Sequence, residues 1–142
     1  MVRKLVSAWA VAALTVALSV GGYSADDEKT PPTKEIMKKM QGKTDAPGLI
    51  KRSKDAGKDE KWEDAQKLAK EMAELGKAVG KNKPPKGDAE SWEKLTKKYA
   101  EHTAAIAEAA EKKDTKAHAD AVKAFTDSCM ACHMEHRPAK KK

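Results

Sequence analysis

From residue 59 to residue 136 the apolar side chains recur at steps of three and four, and strand-like alternation is absent. A period near 3.6 gathers such residues on one face of a helix, so the chain is confined to helices packed against helices. Trp62, Ala65, Leu68, Ala69, Met72, Leu75 and Val79 make one stripe, and Trp92, Leu95, Tyr99, His102, Ile106 and Ala109 a second. His118, Val122, Phe125, Cys129, Cys132, His133 and His136 make a third. Asp59, Asp88 and Asp114 stand ahead of these stripes, where a carboxylate can accept from first-turn amides as an N-cap. The loop between the first two stripes, residues 80–87, is marked by its glycines and prolines, and Pro138 ends the last helix.

Upstream, residues 26–32 read as a polar leader closed by Pro31 and Pro32. Thr33 is a fair N-cap, after which Ile36, Met37 and Met40 share one helix face. Gly42 interrupts this segment, and Pro47 can restart a helix carrying Leu49 and Ile50 as far as Gly57. The element is therefore either one broken helix or two short ones. The expected fold class is all-α: an antiparallel four-helix bundle forming a single domain over residues 26–142.

The first 25 residues read as a segment outside that domain. Arg3 and Lys4 precede an uncharged run from Leu5 to Val20, and Gly21, Gly22, Ser24 and Ala25 supply small residues for cleavage. This is the pattern of a secretory signal peptide, and its apolar run falls short of the roughly 20 residues that span a bilayer. No cysteine near the cleavage site offers a lipid anchor. The expected destination is outside the cytoplasm. Loss of Arg3 and Lys4 lowers the formal net charge from +7 to about +5, which suits an acidic partner as well as plain solubility. Lysines interleaved with Asp and Glu, in an exported chain, speak against nucleic acid. With aromatics at only 4% of residues, a core made of protein alone would be thin, and a bound cofactor would add the missing bulk.

Cys129-Met130-Ala131-Cys132-His133 contains the only two cysteines of the chain. Cys-x-x-Cys-His is the attachment signature of a c-type haem. Cysteines at i and i+3 lie on one helix face and can form thioethers to the two vinyl groups of the porphyrin, while the adjoining imidazole reaches the iron as proximal ligand. Attachment of this kind takes place outside the cytoplasm, in agreement with the export signal. Three other readings compete, of which chance occurrence would leave the export signal and the bundle unexplained. A thioredoxin-type disulfide wants a βαβ context and a cysteine at a helix N-terminus. A zinc site drawn from Cys129, Cys132, His133 and His136 would have to surround an ion from one continuous helix.

The extended run Cys129-Met130-Ala131-Cys132-His133-Met134-Glu135-His136-Arg137 resembles the class II c-type cytochromes, the cytochrome c-prime and cytochrome c-556 family. In that family the motif reads Cys-x-x-Cys-His-x-x-aromatic-Arg near the end of the fourth helix of a bundle. Here the cysteines, His133 and Arg137 match, and His136 stands in the aromatic place. The resemblance implies one haem c joined to Cys129 and Cys132, with His133 on the iron and Arg137 beside a propionate or the proximal pocket. It also implies a distal ligand on the first helix, for which Met37 is the first choice and Met40 the alternative; their spacing does not separate them. His102 is a further, weaker distal candidate. His118 is expected at the helix surface or boundary, with Trp62, Trp92, Tyr99 and Phe125 walling the bundle.

Two functions follow from the resemblance. With a methionine ligand the protein would be a periplasmic single-electron carrier meeting an acidic redox partner. With an open distal side it would bind nitric oxide or carbon monoxide. Catalysis is not expected, and a homodimer through the first helices is compatible with the family pattern.

Overall fold

The computed structural model describes residues 30–43 and 45–139; the expected signal peptide over residues 1–25 and the lysines at 140–142 lie outside the described residues. Five helices follow one another: α1 (Thr33–Gln41), α2 (Leu49–Lys58), α3 (Trp62–Gly80), α4 (Ala89–Glu111) and α5 (Thr115–His136). There is no strand among the described residues, only an isolated antiparallel bridge between Gly42 and Pro47.

The count is five rather than four because the first element divides. Gly42 ends α1 at φ 76°, a left-handed conformation open to glycine at little cost, and its amide donates to the Lys38 carbonyl. A side chain there would run into the backbones of Ala46 and Gly48. The tight return lets α2 start at Leu49 and pack beside α1.

Two of the three expected caps on the long helices hold. Asp88 accepts from the Ser91 amide and Asp114 from the Ala117 amide, each at 2.8 Å. Asp59 instead closes α2, its amide donating to the Asp55 carbonyl, and Glu60 turns at φ 56° before α3 begins at Trp62. Thr33 is likewise the first helical residue of α1 and not its cap, since the amides of Glu35 and Ile36 donate to the Pro32 carbonyl.

The most extensive packing joins α3 to α4 and α4 to α5; α2 lies against α3 and α5, and α1 rests on α2 and α3. Ile36, Met40, Met72, Ile106 and Phe125 are fully enclosed, and Tyr99 meets Phe125 edge-on at 4.9 Å. Part of the α3–α4 seam was hidden in the apolar pattern. Thr96 and Thr103 are buried, and Thr103 sits directly on Gly76. The Thr103 hydroxyl donates to its own helix, at the carbonyls of Tyr99 and Ala100, so its burial leaves no unpaired group.

His118 is not a boundary residue. It is 1% exposed, with its Nε2 3.2 Å from the Ser53 hydroxyl and its ring edge-on to Trp62, closing the junction of α2, α3 and α5.

Candidate functional site: the cleft between the first and last helices

The last two turns of α5 carry the cysteine motif. Cys129 and Cys132 are free thiols, both half-buried, and both pack against the hydrophobic core. The Cys129 thiol donates to the Phe125 carbonyl at 3.4 Å. Burial pushes the Cys129 thiol up from its ordinary pKa, with Cys132 adding to the effect, and burial followed by the Glu135 carboxylate does the same to Cys132. A redox dithiol needs the opposite, a thiolate stabilised by a helix N-terminus or a cation. Here both shifts run the other way and favour the thiol over the thiolate.

His133 follows on the same side of α5. Burial, and then the Arg137 guanidinium, hold its imidazole below the usual histidine range, so the neutral form with a free lone pair prevails at pH 7. Tyr99, on α4, has its hydroxyl pushed well above the ordinary phenol range by burial, with Cys129 and Cys132 contributing.

Facing this end of α5 is the cleft side of α1. A cavity of about 530 Å³ opens between them, lined by Thr33, Lys34, Met37 and Lys38 of α1 and by Cys132, His133 and His136 of α5. Arg137, Trp92 and Pro85 also line it, as do Gln41, Gly42 and Pro138. Such a volume falls within the range of about 300–1,000 Å³ usual for small-molecule and cofactor sites. Three of its lining cations, Lys34, Lys38 and Arg137, make no salt bridge with a described carboxylate.

The structure thus brings Met37, Cys132, His133 and Arg137 to one cleft. Cys129 lies a turn earlier on α5, over Phe125, and does not line it. The two methionines are separated by the roll of α1: Ile36 and Met40 point into the core, Met40 with 1% exposure, while the half-buried Met37 borders the cavity. His102 is half-buried on α4 and is not part of the cleft wall. A larger groove, about 850 Å³, runs between α2 and α5. Its walls carry the paired side chains Lys51–Asp55 and Lys123–Asp127 and none of the cysteines, histidines or methionines considered above.

No protein-family model, curated protein or solved structure matches this chain.

His136, in the place where the family pattern has an aromatic residue, is buried at 2% exposure. Its Nδ1 is 2.6 Å from the Lys86 carbonyl and its Nε2 2.9 Å from the Ser91 hydroxyl, while the ring stands edge-on to Trp92 at 5.1 Å. A carbonyl can only accept, so Nδ1 carries the proton. With both nitrogens engaged, His136 has no lone pair for a metal. Among the described residues no three His, Cys, Asp or Glu side chains converge on a point that could hold an ion.

Of the donors that the motif implies, the Cys132 thiol, the His133 imidazole and the Met37 thioether border one open cleft, while the Cys129 thiol lies one turn back on the same helix, outside the cleft lining. The sequence pointed to each of these residues except the partners of His136. Lys86 and Ser91 are non-local, and a serine at the third position of a helix carries no signal of its own.

Proposed function

We propose that this chain is an exported monohaem c-type cytochrome of the class II kind, a single-electron carrier. Cys129 and Cys132 would hold haem c, His133 would be the proximal iron ligand and Met37 the distal one. Bound there, the haem would supply an iron that cycles between ferric and ferrous states, with thioether ligation favouring the ferrous form. The observation that carries the reading is the single cleft bordered by Met37 on α1 and by Cys132 and His133 on α5.

The chain's own part is to orient and attract. The thiols pack against the hydrophobic core that includes Tyr99 and Phe125, which gives the attachment edge an apolar backing. Burial, with Arg137 adding to it, favours the neutral form of His133, and the Arg137 guanidinium is a cation at the cleft suited to a carboxylate of the cofactor. Lys34 and Lys38 extend that positive rim along α1, which favours an acidic redox partner. Among the described residues no helix is long and apolar enough to cross a membrane.

One observation favours a second reading, binding of nitric oxide or carbon monoxide. Met37 is only half-buried and α1 has no extensive packing on α5, so its sulfur could be displaced by a small ligand.

The test is spectroscopic. Produced in a periplasm with haem-maturation machinery, the wild-type protein is expected to be low-spin and to resist carbon monoxide when reduced. Met37→Leu should turn it high-spin and reactive with carbon monoxide, whereas Met40→Leu should leave ligation intact at the expense of core packing. A Met37→Leu protein that remains low-spin rejects the ligand assignment. A wild type that is already high-spin and binds carbon monoxide fully selects the gas-binding reading.

A further inference from the structure

We propose that a strap of hydrogen bonds and ring contacts through His136, Trp92 and Asn82 fixes the spacing between α1 and the end of α5, and with it the approach of Met37 to a group held at His133. The first clause stands on contacts alone; the second rests on the electron-carrier reading above.

The two walls of the cleft are not joined by extensive packing of α1 on α5. Ile36 and Met40 pin the opposite side of α1 into the core, and Lys39 reaches Glu71 of α3 at 3.5 Å. These contacts provide a pivot and leave the width of the cleft to be set elsewhere.

A continuous path does connect the walls. From α5, the His136 Nδ1–H donates to the Lys86 carbonyl, and Nε2 accepts from the Ser91 hydroxyl at the start of α4. Gly87 allows the loop to come this close: it stands at φ +82°, and a Cβ there would sit 2.9 Å from the His136 Nδ1. The His136 ring meets Trp92 edge-on, and the Trp92 indole N–H donates to the Asn82 carbonyl at 2.7 Å. The Asn82 amide then donates to the Pro31 and Ala78 carbonyls, each at 3.1 Å. Pro31 lies just ahead of α1, so Asn82 ties the lead-in of one wall to the end of α3, and His136 ties the other wall to α4. A phenyl ring at 136 could fill the same space, but it would have neither a donor for Lys86 nor an acceptor for Ser91.

The test uses variants at opposite ends of the strap, Asn82→Leu and His136→Phe, with His136→Gln as a conservative variant that keeps a donor and an acceptor. Circular dichroism establishes that each has folded. In the haem-free protein, amide hydrogen exchange in residues 33–41 and 132–136 is expected to quicken about ten-fold in Asn82→Leu and His136→Phe, with residues 65–79 unchanged. In the haem-loaded protein the same two variants should lose low-spin character and bind carbon monoxide about ten-fold faster, and His136→Gln should recover most of both. Exchange and carbon monoxide rates within roughly two-fold of wild type in both variants would overturn the proposal. If the wild type takes up no haem, the electron-carrier reading fails and the exchange data alone decide the strap: quickening confined to the two walls supports it, and none refutes it.

Discussion

The burial of His118 makes the stability of the fold depend on pH. Desolvation holds its pKa below the ordinary histidine value of about 6.5, so the folded state disfavours the protonated ring while the unfolded chain accepts a proton normally. The unfolded state therefore binds more protons once pH falls below about 6.5, and stability declines as pH drops from there towards the lowered folded value. Above that window the contribution is fully present. In the haem-free protein His133 adds a second group of the same sign. Chemical denaturation of haem-free protein between pH 7.5 and pH 5 should show stability falling with acid, each histidine contributing at most about 1.4 kcal/mol per pH unit. His118→Gln should reduce that slope; an unchanged slope would mean that the ring is readily protonated in place. The same residue illustrates a limit of pattern reading. Its place on the apolar stripe was visible, but its burial depends on Ser53 and Trp62, brought there from α2 and α3.

At the scale of elements, the three long helices were legible from periodicity, and for α4 and α5 capping agreed with it. Asp88 and Asp114 each have an amide three residues on to satisfy, and Asp88→Ala should cost about 1 kcal/mol in thermal or denaturant unfolding. Asp59 was misread because a carboxylate ahead of a helix and a residue ending the previous one look alike until the Asp55 carbonyl is seen to bind its amide. The α3–α4 seam was obscured for a different reason: threonine reads as polar, yet Thr103 satisfies its hydroxyl within its own helix and lies against Gly76. Gly76→Ala should therefore destabilise by about 1–3 kcal/mol through overpacking, despite alanine's better helix propensity. A neutral or stabilising result would show that the seam has slack. Met37 and Met40 were inseparable by spacing, and the roll of α1 distinguishes them by sending Ile36 and Met40 to the core.

For the whole molecule, charge and topology act together. The chain has a formal net charge of +7, and three of its cations, Lys34, Lys38 and Arg137, lie around one cleft. If electrons pass at that cleft, reduced haem-loaded protein should react with the anionic oxidant ferricyanide at a rate that falls as salt rises. Replacing Lys34 and Lys38 together by Glu should slow that reaction about ten-fold at low ionic strength and flatten its salt dependence. Equal rates in wild type and variant would place the electron-transfer surface elsewhere. Long-range order was the least legible part of the chain: sequence brought the cysteine motif and the methionine pair to attention, but not the loop that binds His136 or the cleft that separates α1 from α5.

The central claim is that Cys129 and Cys132 carry a haem. The most direct measurement is the intact mass, under denaturing conditions, of protein purified from a periplasm competent in haem maturation. The account predicts the mass of the exported chain plus one haem that withstands acidic organic extraction, lost when both cysteines are replaced by serine. A mass equal to the polypeptide alone, with both thiols free to alkylate, would contradict it.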